Sequence, residues 1–490
     1  MKRLLKWVVG IFGAVLLVGA TVVLLRAFDA RRKPPLKPWH QALDSEFRAA
    51  DATERSTLED YLAIEDRVMK EMDRVVYDVD HAPEDRTRVN RYWRDSPVNP
   101  QRFTPNWNRT QVLEPQGELR GGVLLIHGLT DSPYSVRAVA EIYRRHGFYA
   151  LCMRMPGHGT VPGALTKANW EDWRAAARIG VRHVRRRIGP SLPLHLVGYS
   201  NGGEIVTQYA VDTLSQPALP RVQGVVLLSP MIGVSPYAGL AKIIDVVGAI
   251  PYFARSRWLD VLPEYIPFKY DSFPAYAGQQ TAEATAALDT SIAHAVKEGH
   301  IGGLPPILAF VSLVDSTVET WATVDRLYAR LADNGSALVL FDLNRSSAVR
   351  PFLKTDFDGP VQALWGNPSR RYALTLVTNA SPDTPDVVAR SAAAGSGRPQ
   401  ESPLGLAWPQ SIYSLSHLAV PFRPDDPLFG IDPDRSVDYG ARLGLLAPRG
   451  ERGITSVGAD QFMRLNCNPF FPYLEKRVEE WIGESVSDKR

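Results

Sequence analysis

From about residue 110 the chain alternates two patterns: short unbroken apolar runs, and longer stretches whose apolar residues recur every three or four positions. Unbroken runs of this length predict strands buried on both faces, and the second spacing predicts amphipathic helices. "GGVLLIHG" reads as the first such strand and "YSVRAVAEIYRRHG" as a helix closed by Gly147. "FYALCMRM" follows as a strand, then "NWEDWRAAARIGVRHVRRRIG" as a helix with Asn169 as its cap. Strand "LPLHLVGYS", helix "GGEIVTQYAVDTL" and strand "VQGVVLLSP" come next, and "PPILAFVSLVD", "VETWATVDRLYARLADNG" and "SALVLFDL" repeat the alternation later. This order predicts an α/β fold with a mostly parallel sheet covered on both faces, and a ligand site at the carboxyl ends of its strands.

Two segments interrupt the rhythm. Residues 233–303 look mostly helical, with apolar stretches such as "GLAKIIDVVGAIPYF" and "WLDVLPEYIPF". Residues 344–411 hold one expected strand, "RYALTLVT", and the stretch "SPDTPDVVARSAAAGSGRPQESP", whose composition predicts a mobile or disordered segment. Upstream, "RRKPPLKPWH" predicts an extended linker, and Leu58, Leu62, Met69, Met72 and Val76 predict a helix over 56–79 opened by a Ser56-x-x-Glu59 box. That helix is read as a stalk or packing element without chemistry.

The amino terminus is uncharged from Trp7 to Leu25. A run of this length is read as one N-terminal transmembrane helix, a retained single-pass anchor. A cleaved signal is the competing reading, but the apolar run continues past Val18-Gly19-Ala20. Cations flank both ends, so orientation stays open. The expected organisation is therefore 1–33 anchor and basic flank, 34–109 linker and helix, and 110–490 the α/β domain. The 490 residues carry 56 basic and 53 acidic side chains, a net charge of +3 that gives no reason to expect nucleic acid as a partner. Two cysteines, Cys152 and Cys467, make neither a disulfide framework nor a metal site.

Candidate chemistry begins at Gly198-Tyr199-Ser200-Asn201-Gly202, a Gly-x-Ser-x-Gly turn between an apolar strand and an apolar-periodic helix. Small residues at Gly198 and Gly202 let a sharp turn hold the serine exposed at the strand's end. A serine hydroxyl needs a histidine to take its proton and a carboxylate to orient that histidine, in the chain order serine, acid, histidine. Of ten histidines only His417 follows the strand "ILAFVS". Asp315 ends that strand and is the favoured acid, with Asp342 at the end of the next strand as runner-up. The oxyanion donors are expected to be the backbone N–H groups of Asn201 and of Leu129, the latter in "LLIHGLTDSP". His127 is read as a brace for that loop, and His158 as a structural loop residue or a contact at the substrate rim.

With "LLIHGLTDSP", "RMPGHGTVP", "LVGYSNGG" and "FVSLVDSTV" in this order, residues 110–343 together with His417 resemble an α/β-hydrolase of the monoacylglycerol lipase/lysophospholipase and carboxylesterase group, also called serine aminopeptidase-like. The resemblance implies a helical cap, for which 233–303 is in the right place, and neither metal nor organic cofactor. The chain departs from the group in the 102-position separation of Asp315 and His417, which the 344–411 insertion accounts for. The expectation is a membrane-anchored serine hydrolase cleaving carboxylic esters of acyl chains, such as monoacylglycerols or lysolipids. An aminopeptidase or amidase would use acids of the cap such as Glu264, Asp271 and Glu283 to hold a free amino terminus. An anchored, non-catalytic binding or scaffold protein on the same fold is the reading from another class.

Overall fold

The computed structural model describes residues 7, 21, 31–233, 251–315, 320–347, 358–409, 412, 414–445 and 464–487. After a short strand β1 (Gln111–Leu113), six apolar runs form β2 (Gly121–Ile126), β3 (Phe148–Met153), β4 (Leu194–Tyr199), β5 (Gly224–Leu228), β6 (Ile307–Ser312) and β7 (Ala337–Phe341). Every residue of these six is buried. Three further strands follow: β8 (Ala373–Asn379), β9 (Asp386–Ala392) and β10 (Gln400–Ala407). They join one ten-stranded sheet in the order β1-β3-β2-β4-β5-β6-β7-β8-β9-β10. Strands β3 through β8 are parallel, whereas β1, β9 and β10 run antiparallel to their neighbours. The chain leaves β2 for β3 on one side and returns to β4 on the other. The ends of β2 and β4 thus flank the point where strand order reverses, the place where open α/β sheets bind ligands.

Successive side chains of a strand point to opposite faces. Leu124 and Ile126 face α1 (Leu58–Met72), α3 (Trp170–Ile188), α4 (Asn201–Ser215) and α5 (Ala275–Lys297), in a core with Tyr61, Trp173, Ile205 and Leu288. Val123 and Leu125 face α2 (Arg137–Arg145) and α7 (Phe471–Ser487), with Ile142, Leu474 and Val478. The helix expected at 56–79 is α1, capped one residue later than the sequence suggests: Thr57 accepts the Asp60 N–H and Asp60 accepts that of Thr57. Beyond Met72 it widens into a π turn, Asp73–Tyr77. It packs on the sheet domain, with Leu58 and Tyr61 in the main core.

The 344–411 insertion departs from expectation in one respect. Residues 386–392 and 400–407 are a strand pair, not a structureless segment. Pairing with β8 satisfies the β9 backbone, and Val387 buries against the core that holds Trp408 and Phe470. The short helix α6 (Asp358–Trp365) precedes β8. Within 233–303, residues 234–250 lie outside the described residues; the rest holds a 3-10 turn, Pro251–Arg257, a short ribbon, Trp258–Asp260 with Phe273–Pro274, the loop between its strands, and α5.

The expected membrane anchor is corrected. Among the described residues no helix is long and apolar enough to cross a membrane. The longest, α5, spans 23 residues but carries Gln279, Gln280, Glu283, Asp289 and Lys297, polar groups that a hydrocarbon core does not solvate. The 7–25 stretch lies outside the described residues except Trp7 and Thr21. The transmembrane element, the membrane as partner and the single-pass location are therefore unsupported.

Candidate active site

Ser200 occupies the turn between β4 and α4 with φ 54° and ψ −118°, a left-handed conformation that costs a non-glycine residue free energy. Its backbone is held from both sides: its N–H donates to the Leu228 carbonyl, and its carbonyl accepts from Gly203 and Met231. The flanking glycines are required by space. A Cβ on Gly198 would lie 2.4 Å from the Gly202 carbonyl oxygen, and one on Gly202 would lie 2.2 Å from that of Ile126. The turn can therefore pack against the end of β2 only with glycine at these two positions.

His417 lies in a loop that follows the inserted strands, beside a two-residue ribbon of Ser414–Leu415 with Arg464–Leu465. Ser312, the last residue of β6, donates its hydroxyl to the Leu415 carbonyl at 2.8 Å and ties that loop to the sheet. The chain thus returns across the insertion to the strand ends. His417 Nε2 is 2.9 Å from Ser200 Oγ, and His417 Nδ1 is 2.7 Å from Asp315 Oδ2. The imidazole is 6% exposed and stacks on the Tyr199 ring at 5.5 Å. Asp342 is elsewhere engaged: its carboxylate takes Arg345, the Thr378 hydroxyl and the Leu343 N–H. The structure thus brings Ser200, His417 and Asp315 together and leaves Asp342 out.

The loop after β2 carries Leu129, and α4 begins at Asn201. First-turn N–H groups of a helix have no intrahelical partner, which leaves the Asn201 N–H unused by α4. His127 Nε2 accepts the Met155 N–H at 3.0 Å while its Nδ1 meets the Gly128 carbonyl at 2.9 Å, so it joins the loops after β2 and β3. Burial holds His127 well below its ordinary pKa and takes His158 down to about 3, so both are neutral at physiological pH. His158 is 1% exposed, which removes it from any substrate rim.

Three residues near the site went unread in the sequence. Thr130, next to Leu129, is left-handed at φ 64°. Its hydroxyl and the buried Asp131 carboxylate both accept from Lys269 Nζ, at 2.8 and 3.4 Å. Lys269 comes from the 233–303 insertion, in a stretch without periodicity, and no local signal marks it.

The loop that carries Lys269 closes on itself. Glu264 accepts the N–H groups of Asp271 and Ser272, and Asp271 accepts those of Tyr265 and Ile266. Burial, with the Glu264 carboxylate beside it, pushes Asp271 up from 3.8 to about 7. A carboxyl whose pKa is raised on folding favours the fold most when protonated, so this contribution is present below about pH 4 and lost as pH rises to about 7. Asp271→Asn, which keeps an acceptor for both N–H groups, is expected to be more stable than wild type at pH 8 and to flatten the decline between pH 4 and 7. Urea midpoints across that range check this; a lower midpoint at pH 8 contradicts it.

A doubly covered parallel sheet with a serine on a strained strand-to-helix turn at its switch point defines the α/β-hydrolase class. The chain has the α/β-hydrolase fold, and its similarities lie with the lipase and esterase group, which supports an esterase- or lipase-type hydrolase. The family model described as Hydrolase_4, serine aminopeptidase S33, matches residues 117–276. Among curated relatives, the thermostable monoacylglycerol lipase of Bacillus sp. (strain H-257) is 26% identical over 198 residues, 40% of this chain and 71% of the relative. Phospholipase YtpA of Bacillus subtilis (strain 168) is 25% identical over 112 residues, 23% of this chain and 40% of that protein. Among solved structures, a soluble variant of monoglyceride lipase from Saccharomyces cerevisiae, in complex with a substrate analog, aligns at TM-score 0.37 and 15% identity, covering 48% of this chain and 82% of that one.

Proposed function

We propose that this serine ester hydrolase cleaves carboxylic esters of acyl chains, such as monoacylglycerols or lysolipids, with Ser200, His417 and Asp315 as its triad. The observation that carries the reading is the hydrogen-bonded series from Asp315 through His417 to Ser200, with the serine on a left-handed turn. Asp315 accepts the Nδ1 proton of His417 and so fixes the tautomer whose Nε2 can receive the serine proton. Ser200 Oγ attacks the ester carbonyl, and the N–H groups of Asn201 and Leu129 receive the oxyanion. His417 then protonates the leaving alcohol, and water repeats the sequence on the acyl-enzyme. The relatives named monoacylglycerol lipase and phospholipase support an acyl ester as substrate.

One observation favours esters over an aminopeptidase reaction. Holding a substrate ammonium would need unengaged acids in the cap. Glu264 instead spends both oxygens, and Asp271 its Oδ2, on backbone N–H groups of their own loop, and Glu283 accepts from Gln279 and Gln280. Nitrophenyl esters of graded chain length, assayed beside aminoacyl amides, test the reading. The expected result is kcat/KM for medium-chain esters at least about 100-fold above that for any amide. Amide turnover equal to or above ester turnover would reverse it.

A further inference from the structure

The cap loop reaches the site through one cation. Lys269 Nζ donates to Thr130 Oγ1 and pairs with Asp131, while the next residue, Tyr270, donates its backbone N–H to the Thr130 carbonyl at 2.8 Å. The left-handed Thr130 is thus held by a side chain and a backbone group of the same loop. That loop is itself fastened: Arg91 donates to the carbonyls of Ile266 and Lys269, and the Tyr270 hydroxyl bonds Gly157 and Thr160. Asp131 is 5% exposed. Its Oδ2 and the Cβ of Ser200 both lie 3.1 Å from the point where a Cβ on Gly128 would stand. The carboxylate therefore sits beside the nucleophile and one residue beyond Thr130. Lys269 is only slightly exposed itself.

We propose that Lys269 is a positioning residue: its ammonium neutralises the Asp131 carboxylate next to the reacting serine and holds the loop that carries Leu129. The proposal rests on the reading of Ser200 and His417 given above. An unpaired carboxylate here opposes the reaction twice. It repels the negative charge that develops on the substrate oxygen, and it attracts a proton onto His417, which must be neutral to act as base. The charged or titratable groups facing Asp131 are Lys269 from the cap loop, His417 from the loop after the insertion and the Tyr199 phenol from β4. Asp315 lies beyond His417, and His127 on Asp131's own loop is neutral. Burial, opposed by Lys269, raises the Asp131 carboxyl above its ordinary range, so the carboxylate depends on that cation to stay charged.

The test is the pH profile of ester hydrolysis by the full chain carrying Lys269→Met, Asp131→Asn, both, or Lys269→Arg. Lys269→Met is expected to lower kcat at pH 8 about 10- to 100-fold with KM changed less than about threefold, and to move the acidic limb of kcat/KM upward by about one pH unit. Asp131→Asn is expected to move that limb downward. Adding it to Lys269→Met is expected to restore most of the lost kcat, and Lys269→Arg to retain it. A structural prop alone would not shift the limb in opposite directions. Should Lys269→Met fail to fold, the double variant, which buries no unpaired charge, and Asp131→Asn still report. Limbs that do not move, or a double variant no faster than Lys269→Met, would overturn the role of Lys269. Ser200→Ala, run in parallel, is expected to lose on the order of 10⁶-fold in kcat; activity near that of wild type would overturn the triad reading itself.

Discussion

Replacing His417 by alanine is expected to cost on the order of 10⁶-fold in kcat on an ester, replacing Ser200 the same, and replacing both no more than either alone. The reason lies in the two bonds His417 makes, 2.9 Å to Ser200 and 2.7 Å to Asp315. Three groups in one proton-transfer series act as a unit, so removing the base leaves a hydroxyl without nucleophilicity and removing the hydroxyl leaves a base without a task. The residual rate should stay above that of water alone, because the N–H groups of Asn201 and Leu129 remain. Asp315→Asn should cost less, about 10⁴-fold, since it leaves the histidine present but in the wrong tautomer. Single-turnover rates of the four variants on one nitrophenyl ester check this. Single losses that multiply in the double variant would mean the residues act independently.

Replacing Arg154 by methionine is expected to destabilise the fold by about 3–5 kcal/mol. Arg154 is fully buried at the end of β3, where it pairs with Glu46 and Glu65. Glu46 also takes the N–H groups of Gly157 and Phe47, and Glu65 takes the N–H and hydroxyl of Thr110. Removing the guanidinium leaves the buried Glu46 carboxylate without its cation and Glu65 with Arg109 alone, at 3.5 Å. Desolvation and the Arg154 charge oppose each other at Glu46, and the arginine with its hydrogen bonds wins, holding the carboxyl below its ordinary 4.5. A carboxyl depressed on folding stabilises above its unfolded value, and this is lost as pH falls through the folded one. In the variant the Glu46 carboxylate can escape the cost by protonation. The loss should therefore be largest near pH 8 and shrink toward pH 4.5. Urea midpoints at the two pH values measure it; a loss that does not depend on pH would point to packing instead.

Most of the sheet was legible because its central strands are buried on both faces and so read as unbroken apolar runs. Ser200 was legible because glycines fall where a Cβ would strike the backbone. Asp315 was legible from its place at the end of β6. His417 could be read only by elimination, and its approach to Ser200 depends on an insertion whose structure the sequence hid. In "SPDTPDVVARSAAAGSGRPQESP" the proline, serine and glycine content outweighs the few apolar residues of β9. Those residues become a strand through partners outside their own run, the β8 ladder and the core around Trp408. The Arg154 pairs and the Lys269–Asp131 pair were hidden for a similar reason. Arg154 and Glu46 are 108 positions apart, and Lys269 and Asp131 are 138 apart. No periodicity reports a side-chain pair at such separation. The 7–25 stretch shows the opposite failure: apolar length read as a bilayer span without any described helix to carry it.

The most direct test of the central claim is labelling by a fluorophosphonate, which bonds covalently only to a serine activated as described. The wild-type chain is expected to gain one adduct, mapped by peptide mass spectrometry to Ser200, and folded Ser200→Ala and His417→Ala are expected to gain none. An adduct on another residue, or undiminished labelling of folded His417→Ala, would contradict the account.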